Sequence, residues 1–293
     1  MDKKRDNNLK FPLKGKYIAL VAPSFVVDFP YPKILSQLKE LGFDKAVELT
    51  FGAKIVNKEY YEEIKNSKKL MISSVCPGVV ETIKNSFPEY KNNLLLVDSP
   101  MVATAKICKK IYPHHKRVFI SPCNFKRLEA KRTGFIDYVI DYKELKDLIF
   151  KHSFEYTKNK NKKSYKKEIL FDKFYNDYTK IYPISGGLSK TLKVKKLLQK
   201  NEIKEIDGIK KVIKFLKNPN PKIKFLDITF CKGGCIGSQF INSKIPISLR
   251  KIKVLKYIRK ANKERIPENR KGIFKKAEGL SFKSNYPINI YSF

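Results

Sequence analysis

The stretch Val118-Phe119-Ile120-Ser121-Pro122-Cys123-Asn124-Phe125-Lys126-Arg127-Leu128-Glu129 changes character midway. An apolar, β-branched run stops at a proline-containing loop, a cysteine follows, and residues 126–132 then read as a helix. The same succession occurs three more times in the first half of the chain. Tyr17-Ile18-Ala19-Leu20-Val21 leads into Ala22-Pro23-Ser24, Leu70-Met71-Ile72-Ser73 into Cys76-Pro77, and Leu94-Leu95-Leu96-Val97 into Ser99-Pro100. Short apolar runs between amphipathic helices predict parallel strands of an α/β sheet, and in such sheets the functional loops gather at the carboxyl ends of the strands. Pro23, Cys76, Ser99 and Cys123 are therefore expected to cluster.

The second half continues the pattern less regularly. Residues 151–167 are rich in Lys, Asn and Ser with little apolar periodicity, and read as a linker or surface excursion. Residues 168–178 have helical character, and Ser185-Gly186-Gly187-Leu188 opens a further helix. Residues 209–216 are amphipathic. Ile223-Lys224-Phe225-Leu226-Asp227-Ile228-Thr229-Phe230 predicts a strand that runs directly into Cys231, and 252–263 predicts a basic amphipathic helix.

The chain has 293 residues, 42% of them hydrophobic, enough for one large core or two lobes. No apolar run is long enough to span a bilayer, and residues 1–10 lack the apolar stretch of a secretory signal. Five cysteines make a poor disulfide framework in a chain of this length and point to a reducing cytoplasm. The net charge of +35 invites a nucleic-acid partner, but the lysines are spread along most of the chain. The two denser stretches, 158–167 and 250–276, carry no DNA- or RNA-binding motif, and a solvated basic surface is the simpler reading. Such a surface can also steer an acidic redox partner.

Four cysteines stand in three short loops: Cys76 before Pro77, Cys123 after Pro122, and Cys231 with Cys235 around Gly233-Gly234. Proline favours the first position of a helix, so Cys76 is expected at a helix N-terminus, where the dipole favours a thiolate. The glycines let the backbone fold tightly and bring amides close to sulfur or an anion. Four thiolates drawn from distant parts of a chain suit an iron–sulfur cube or a structural zinc. Zinc usually shows two close pairs. Here one pair is close and two ligands stand alone, which favours the cube while leaving zinc open, together with a zinc-stabilised nucleic-acid-binding protein. Cys108 falls with Ala105 and Ile111 on one apolar helix face and reads as a buried structural thiol. His114 and His115 read as a surface turn, His152 has nothing nearby in sequence to activate it, and Tyr175 and Tyr182 read as packing residues.

The three loops, taken together, resemble the signature motifs of the iron-only ([FeFe]) hydrogenase large subunit, C-terminal catalytic domain. Ser73-Ser74-Val75-Cys76-Pro77 is similar to TSCCP. Pro122-Cys123 with Lys126 and Glu129 matches PCxxKxxE, and Cys231 to Cys235 followed by Ile236-Gly237 matches CxGGC. Ala22-Pro23-Ser24, Phe51-Gly52-Ala53, Ser99-Pro100 and Ser185-Gly186-Gly187 follow in family order. The resemblance implies a two-lobed α/β fold, each lobe a small, mostly parallel sheet flanked by helices, with the cluster in the cleft. Residues 15–150 would form the first lobe with Cys76 and Cys123, and 168–250 the second with Cys231 and Cys235, leaving 251–293 as a basic helix and tail. It implies a [4Fe–4S] cube on Cys76, Cys123, Cys231 and Cys235, with Cys235 bridging to a two-iron subcluster that carries CO and cyanide. Lys126 would donate to one cyanide and the amides of Ser24 and of Gly186-Gly187 to the others; Glu129 reads either as a helix-surface carboxylate or as a partial substitute in proton transfer.

The sequence departs from the family where protons move. Val75 occupies the position of a proton-passing cysteine. Counting from the neighbouring motifs places Tyr60, Leu95 and Glu63 at the relay's glutamate, serine and second glutamate. Ser121 and Thr229 replace two methionines of the pocket. A valine and a leucine break a hydrogen-bonded chain, so slow or no hydrogen turnover by the standard route is expected. These losses resemble those of the family's sensory branch. The ferredoxin-like CxxCxxC modules that precede this domain in relatives are not seen here, which implies electrons arriving from a separate ferredoxin-like protein. A non-catalytic [4Fe–4S] protein of the same fold, like the relatives in cytosolic cluster assembly, is the alternative.

Overall fold

A computed structural model describes residues 9–158 except 68, 170–271 except 176, and 277–286 except 285. In chain order the elements begin β1 (Tyr17–Val21), α1 (Lys33–Glu40), β2 (Lys45–Glu48), α2 (Thr50–Lys65), β3 (Met71–Ile72), α3 (Pro77–Ser86) and α4 (Pro100–Ile111). There follow β4 (Lys116–Ile120), α5 (Phe125–Thr133), β5 (Tyr138–Ile140), α6 (Tyr142–Lys158), α7 (Gly187–Leu192), β6 (Ile203–Asp207), α8 (Ile209–Lys217), β7 (Phe225–Thr229) and α9 (Ile247–Ala261). Among the described residues no helix is long and apolar enough to cross a membrane.

The strands form two parallel sheets, one ordered β2-β1-β4-β5 and one ordered β3-β7-β6. Alternation along β1 and β4 sends Ala19, Val21, Val118 and Ile120 into one buried cluster and Ile18, Leu20 and Phe119 into another. The first sheet is thus covered on both faces, as parallel sheets require. Met71 and Phe225 face one core of the second sheet, and Ile72, Leu226 and Ile228 face the other. The two-sheet α/β architecture expected from the sequence is present.

Its division along the chain differs from the expected 15–150 against 168–250. β3 lies in the first half of the sequence but pairs with β7, so Cys76 belongs with Cys231 and Cys235 on the second sheet and Cys123 stands on the first. Leu94 to Val97 forms isolated bridges rather than a strand: Leu95 N–H donates to the Ile72 carbonyl at 2.9 Å, and residues 282–284 cover the outer side. Residues 151–158 continue α6 rather than forming a linker; 159–169 lie outside the described residues. The helix expected over 168–178 is extended instead over residues 170–175. Asp172 and Lys173 bond along β2, which lets Phe171 and Phe174 fill the first-sheet core.

Candidate metal centre

Cys76 is the residue before α3, with Pro77 at the first helical position; the Val79 and Val80 amides turn back onto the Cys76 carbonyl at 3.0 and 3.1 Å. Its Sγ accepts a hydrogen bond from the Phe230 amide at 3.4 Å. Cys123 follows β4, where Ser121 N–H donates to the Ile140 carbonyl at 3.2 Å and the Ser238 hydroxyl donates to the Pro122 carbonyl. The Cys231–Cys235 turn needs both its glycines. Gly233 and Gly234 have φ of +82° and +83°, and a Cβ on Gly234 would stand 2.6 Å from the Pro183 carbonyl oxygen. The Gly233 amide donates to the Asp207 carboxylate at 2.8 Å, and Ser185 N–H donates to the Gly233 carbonyl at 3.2 Å.

The three loops meet at one place. A Cβ on Gly78, two residues after Cys76, would stand 2.9 Å from the Phe125 ring and 3.0 Å from the Phe230 ring. Those rings are 4.9 Å apart, and they follow Cys123 by two residues and precede Cys231 by one. Burial, with the charge of neighbouring cysteines (Cys76 among them in both cases) adding to it, pushes the thiols of Cys123 and Cys231 up to about 12. Thiols held in this way resist ionisation until a metal replaces their protons. They are not drawn to a single point: among the described residues no three of His, Cys, Asp and Glu are gathered closely enough to hold one ion.

The Lys126 ammonium lies between the Val75 carbonyl, at 3.4 Å, and the buried Glu129 carboxylate, at 2.5 Å, and its charge acts on Cys123 and Cys235. Ser24 pairs its hydroxyl with Tyr142 at 2.7 Å. Gly186 has a φ of +71° ahead of α7, and Gly187 N–H donates to the Ile184 carbonyl at 2.8 Å. Asp227 caps α7 through the Ser189 amide and hydroxyl, at 2.9 and 2.8 Å. Ser121 is buried with a hydroxyl that has no hydrogen-bond partner.

Behind Val75 the Tyr60 hydroxyl accepts from the Ser74 amide at 2.8 Å and pairs with its Oγ at 2.9 Å, while that Oγ donates to the Leu95 carbonyl at 2.5 Å. Tyr60, Leu95 and Val75 pack in one apolar cluster. Thr229 bonds the Cys231 carbonyl at 3.3 Å, and Glu63 is half-buried on α2. Cys108 is fully buried in the first-sheet core, and His115 pairs with Asp44 at 2.6 Å in the turn after α4. The loop-holding residues Asp207, Ser238 and Asp227 were not singled out from sequence. Asp227 alone left a signal there, an acid inside the apolar run of β7.

The sequence profile described as "Iron only hydrogenase large subunit, C-terminal domain" matches residues 15–210, a span that stops short of Cys231 and Cys235. The chain is 26% identical over 271 residues to Iron hydrogenase 1 of Clostridium pasteurianum, covering 72% of this chain and 46% of that protein. It is 28% identical over 143 residues to the NADP-reducing hydrogenase subunit HndD of Solidesulfovibrio fructosivorans, covering 40% of this chain and 24% of that protein. The chain thus spans less than half the length of either relative. Its fold is similar to that of a variant of the [FeFe]-hydrogenase HydA1 from Chlamydomonas reinhardtii, with a TM-score of 0.59 at 15% identity over 86% of each chain. By sequence profile, with the fold in agreement, the chain belongs to the family of the iron-only hydrogenase large subunit, C-terminal domain.

Proposed function

We propose that this chain is a hydrogenase-type iron–sulfur protein in which Cys76, Cys123, Cys231 and Cys235 hold a [4Fe–4S] cube and Cys235 also binds a two-iron CO- and cyanide-bearing subcluster. The observation that carries the reading is the meeting of the three cysteine loops on Gly78, Phe125 and Phe230. The donors are thiols alone, soft ligands suited to iron–sulfur. The orphaned Ser121 hydroxyl, two residues from Cys123, favours the two-iron group, since a buried donor calls for a polar partner. When bound, the full cluster supplies one-electron redox chemistry and the interconversion of protons and hydrogen.

The chain's own residues slow the proton side of that chemistry. Val75 has no exchangeable proton, Tyr60 is tied to Ser74, and Leu95 offers only its backbone carbonyl. Slow turnover suits hydrogen or redox sensing, with electrons exchanged with a separate ferredoxin-like carrier attracted by the net charge of +35. A second reading, a cube alone in the same fold, draws on Gly187, whose amide already donates to the Ile184 carbonyl within the protein.

Infrared spectra after cofactor maturation separate the two. CO and cyanide bands are expected for the first reading, and a matured protein with iron and sulfide but no such bands is a cube-only protein. Zinc without iron or sulfide in anaerobically purified protein would defeat both. With the subcluster present, Val75→Cys is expected to raise hydrogen turnover at least several-fold.

A further inference from the structure

α9 lies beyond residues 15–210, yet its first turn leans on the chain that follows Cys235. Arg250 places three nitrogens on three backbone carbonyls. Nε donates to Ile245 at 2.9 Å, one terminal nitrogen to Ile236 at 2.9 Å, and the other to Ser243 at 2.6 Å. Ile236, the residue after Cys235, is fully buried, and its amide donates to the Pro183 carbonyl at 3.3 Å. The backbone beside Cys235 is therefore tied through its amide to the segment before Ser185 and through its carbonyl to α9. Ile247 closes the other side of the turn, its side chain 2.5 Å from where a Cβ on Gly233 would stand.

Cys235 is the residue most in need of such support. It is exposed, whereas Cys76, Cys123 and Cys231 are half-buried. An exposed thiol is held in place chiefly through its backbone, and fixing that backbone costs conformational entropy. A planar guanidinium that bonds three carbonyls at once fixes several residues together, which an ammonium at a single point does not.

We propose that Arg250 is the positioning residue for Cys235, holding the turn so that this thiolate points into the cleft with the other three. The proposal rests on the cluster reading above, but its first test does not need the cluster. In the metal-free, reduced full-length protein, N-ethylmaleimide labelling followed by trypsin reports each thiol separately, because cleavage after Lys232 divides Cys231 from Cys235. Arg250→Ala and Arg250→Lys should both change the rate of Cys235 relative to Cys76 several-fold, with Cys108 still protected as a sign of an intact core.

In anaerobically reconstituted protein, both variants should show the paramagnetic signal of a three-iron cluster where the wild type shows four irons. Cluster retention against a chelator should fall by about 10–100-fold. An unchanged Cys235 rate in Arg250→Lys, with Cys108 protected, would overturn the proposal. So would recovery of wild-type labelling and signal by Lys alone, which would make charge rather than geometry the role. Should Arg250→Ala not fold, Arg250→Lys decides. A wild type that takes up no iron defeats the cluster reading and leaves the labelling arm to decide the role of Arg250.

Discussion

Cys123 follows a strand of the four-stranded sheet, Cys76 and Cys231 with Cys235 follow strands of the three-stranded one, and the two sheets are held in different ways. The first is closed by burial and by a saturated ionic knot. Glu48, at the end of β2, accepts from the Lys180 ammonium, from Tyr257 of α9 at 2.5 Å and from Thr50 at 2.9 Å, and both charged side chains are fully buried. The second contains a strand of only two residues, β3, and its rim is held by polar groups aimed at backbone. The Ser73 Oγ takes the Ile228 amide at 3.1 Å, Tyr60 takes the Ser74 amide, Asp207 the Gly233 amide, and Arg250 the carbonyls after Cys235. One sheet is a scaffold complete in itself, while the other is a set of loops aimed at a centre. Disturbing the first should cost stability, and disturbing the second should cost the site.

The largest effect on stability is expected at the knot. Lys180→Met leaves the Glu48 carboxylate buried with two hydroxyl donors and no cation, a loss on the order of 3–5 kcal/mol. Urea unfolding of the metal-free protein would measure it. A loss below about 1 kcal/mol would mean that the first sheet does not depend on the knot.

Asp98 gives a smaller, pH-dependent effect beside the second sheet. It is buried, paired with Lys106 at 2.5 Å, and follows the segment that bridges β3. Burial pushes its carboxyl up from 3.8 to about 6; the charge of Glu129 adds to this, and Lys106 and Ser284 oppose it. Between those two values the folded protein holds a proton that the unfolded chain has released. Its contribution to stability therefore falls as pH rises from about 4 to about 6 and is level above that, by roughly 2–3 kcal/mol in all. Asp98→Asn lacks this slope. Relative to wild type, the variant should become more stable by that amount between pH 4 and pH 7. A difference that stays constant with pH would mean that Asp98 is ionised throughout.

The strands that carry the loops were legible because apolar, β-branched runs ending at a proline or a cysteine loop announce themselves. β1, β3, β4 and β7 all lie where the sequence predicts them, as does Cys76 at the start of α3. β2, β5 and β6 went unread because none of them runs into a proline or cysteine loop, and β6 exposes Lys204 and Glu205 on an open edge. Nothing local in Met71-Ile72 says that its partner lies more than 150 residues away, which is why the expected lobes divided the chain at the wrong place. Residues 170–175 show the opposite failure. Their helical character yields to two phenylalanines that the first-sheet core takes up in an extended segment. The cysteines and Lys126 were visible as motifs. Arg250 was not, because its three carbonyls come from a turn whose shape no spacing encodes.

Two glycines test the contrast most directly. Gly134, at the end of α5, has a φ of +68° with nothing within 4 Å of an added Cβ, so Gly134→Ala meets only backbone strain, a cost of about 1 kcal/mol. Gly78 has no such strain, but its added methyl would press on Phe125 and Phe230, an overpacking cost of roughly 1–3 kcal/mol. The two variants should thus lie close together in denaturant unfolding. They should part in iron and sulfide content after reconstitution. Gly134→Ala should load as the wild type does, whereas Gly78→Ala pushes apart the two rings that bring the Cys123 and Cys231 loops against Cys76, and should lose most of its cluster. Equal loading of both would mean that the rings can shift without moving the thiols, and the three loops would then owe their meeting to the hydrogen bonds that Ser238 and the Phe230 amide donate and Asp207 accepts rather than to packing at Gly78.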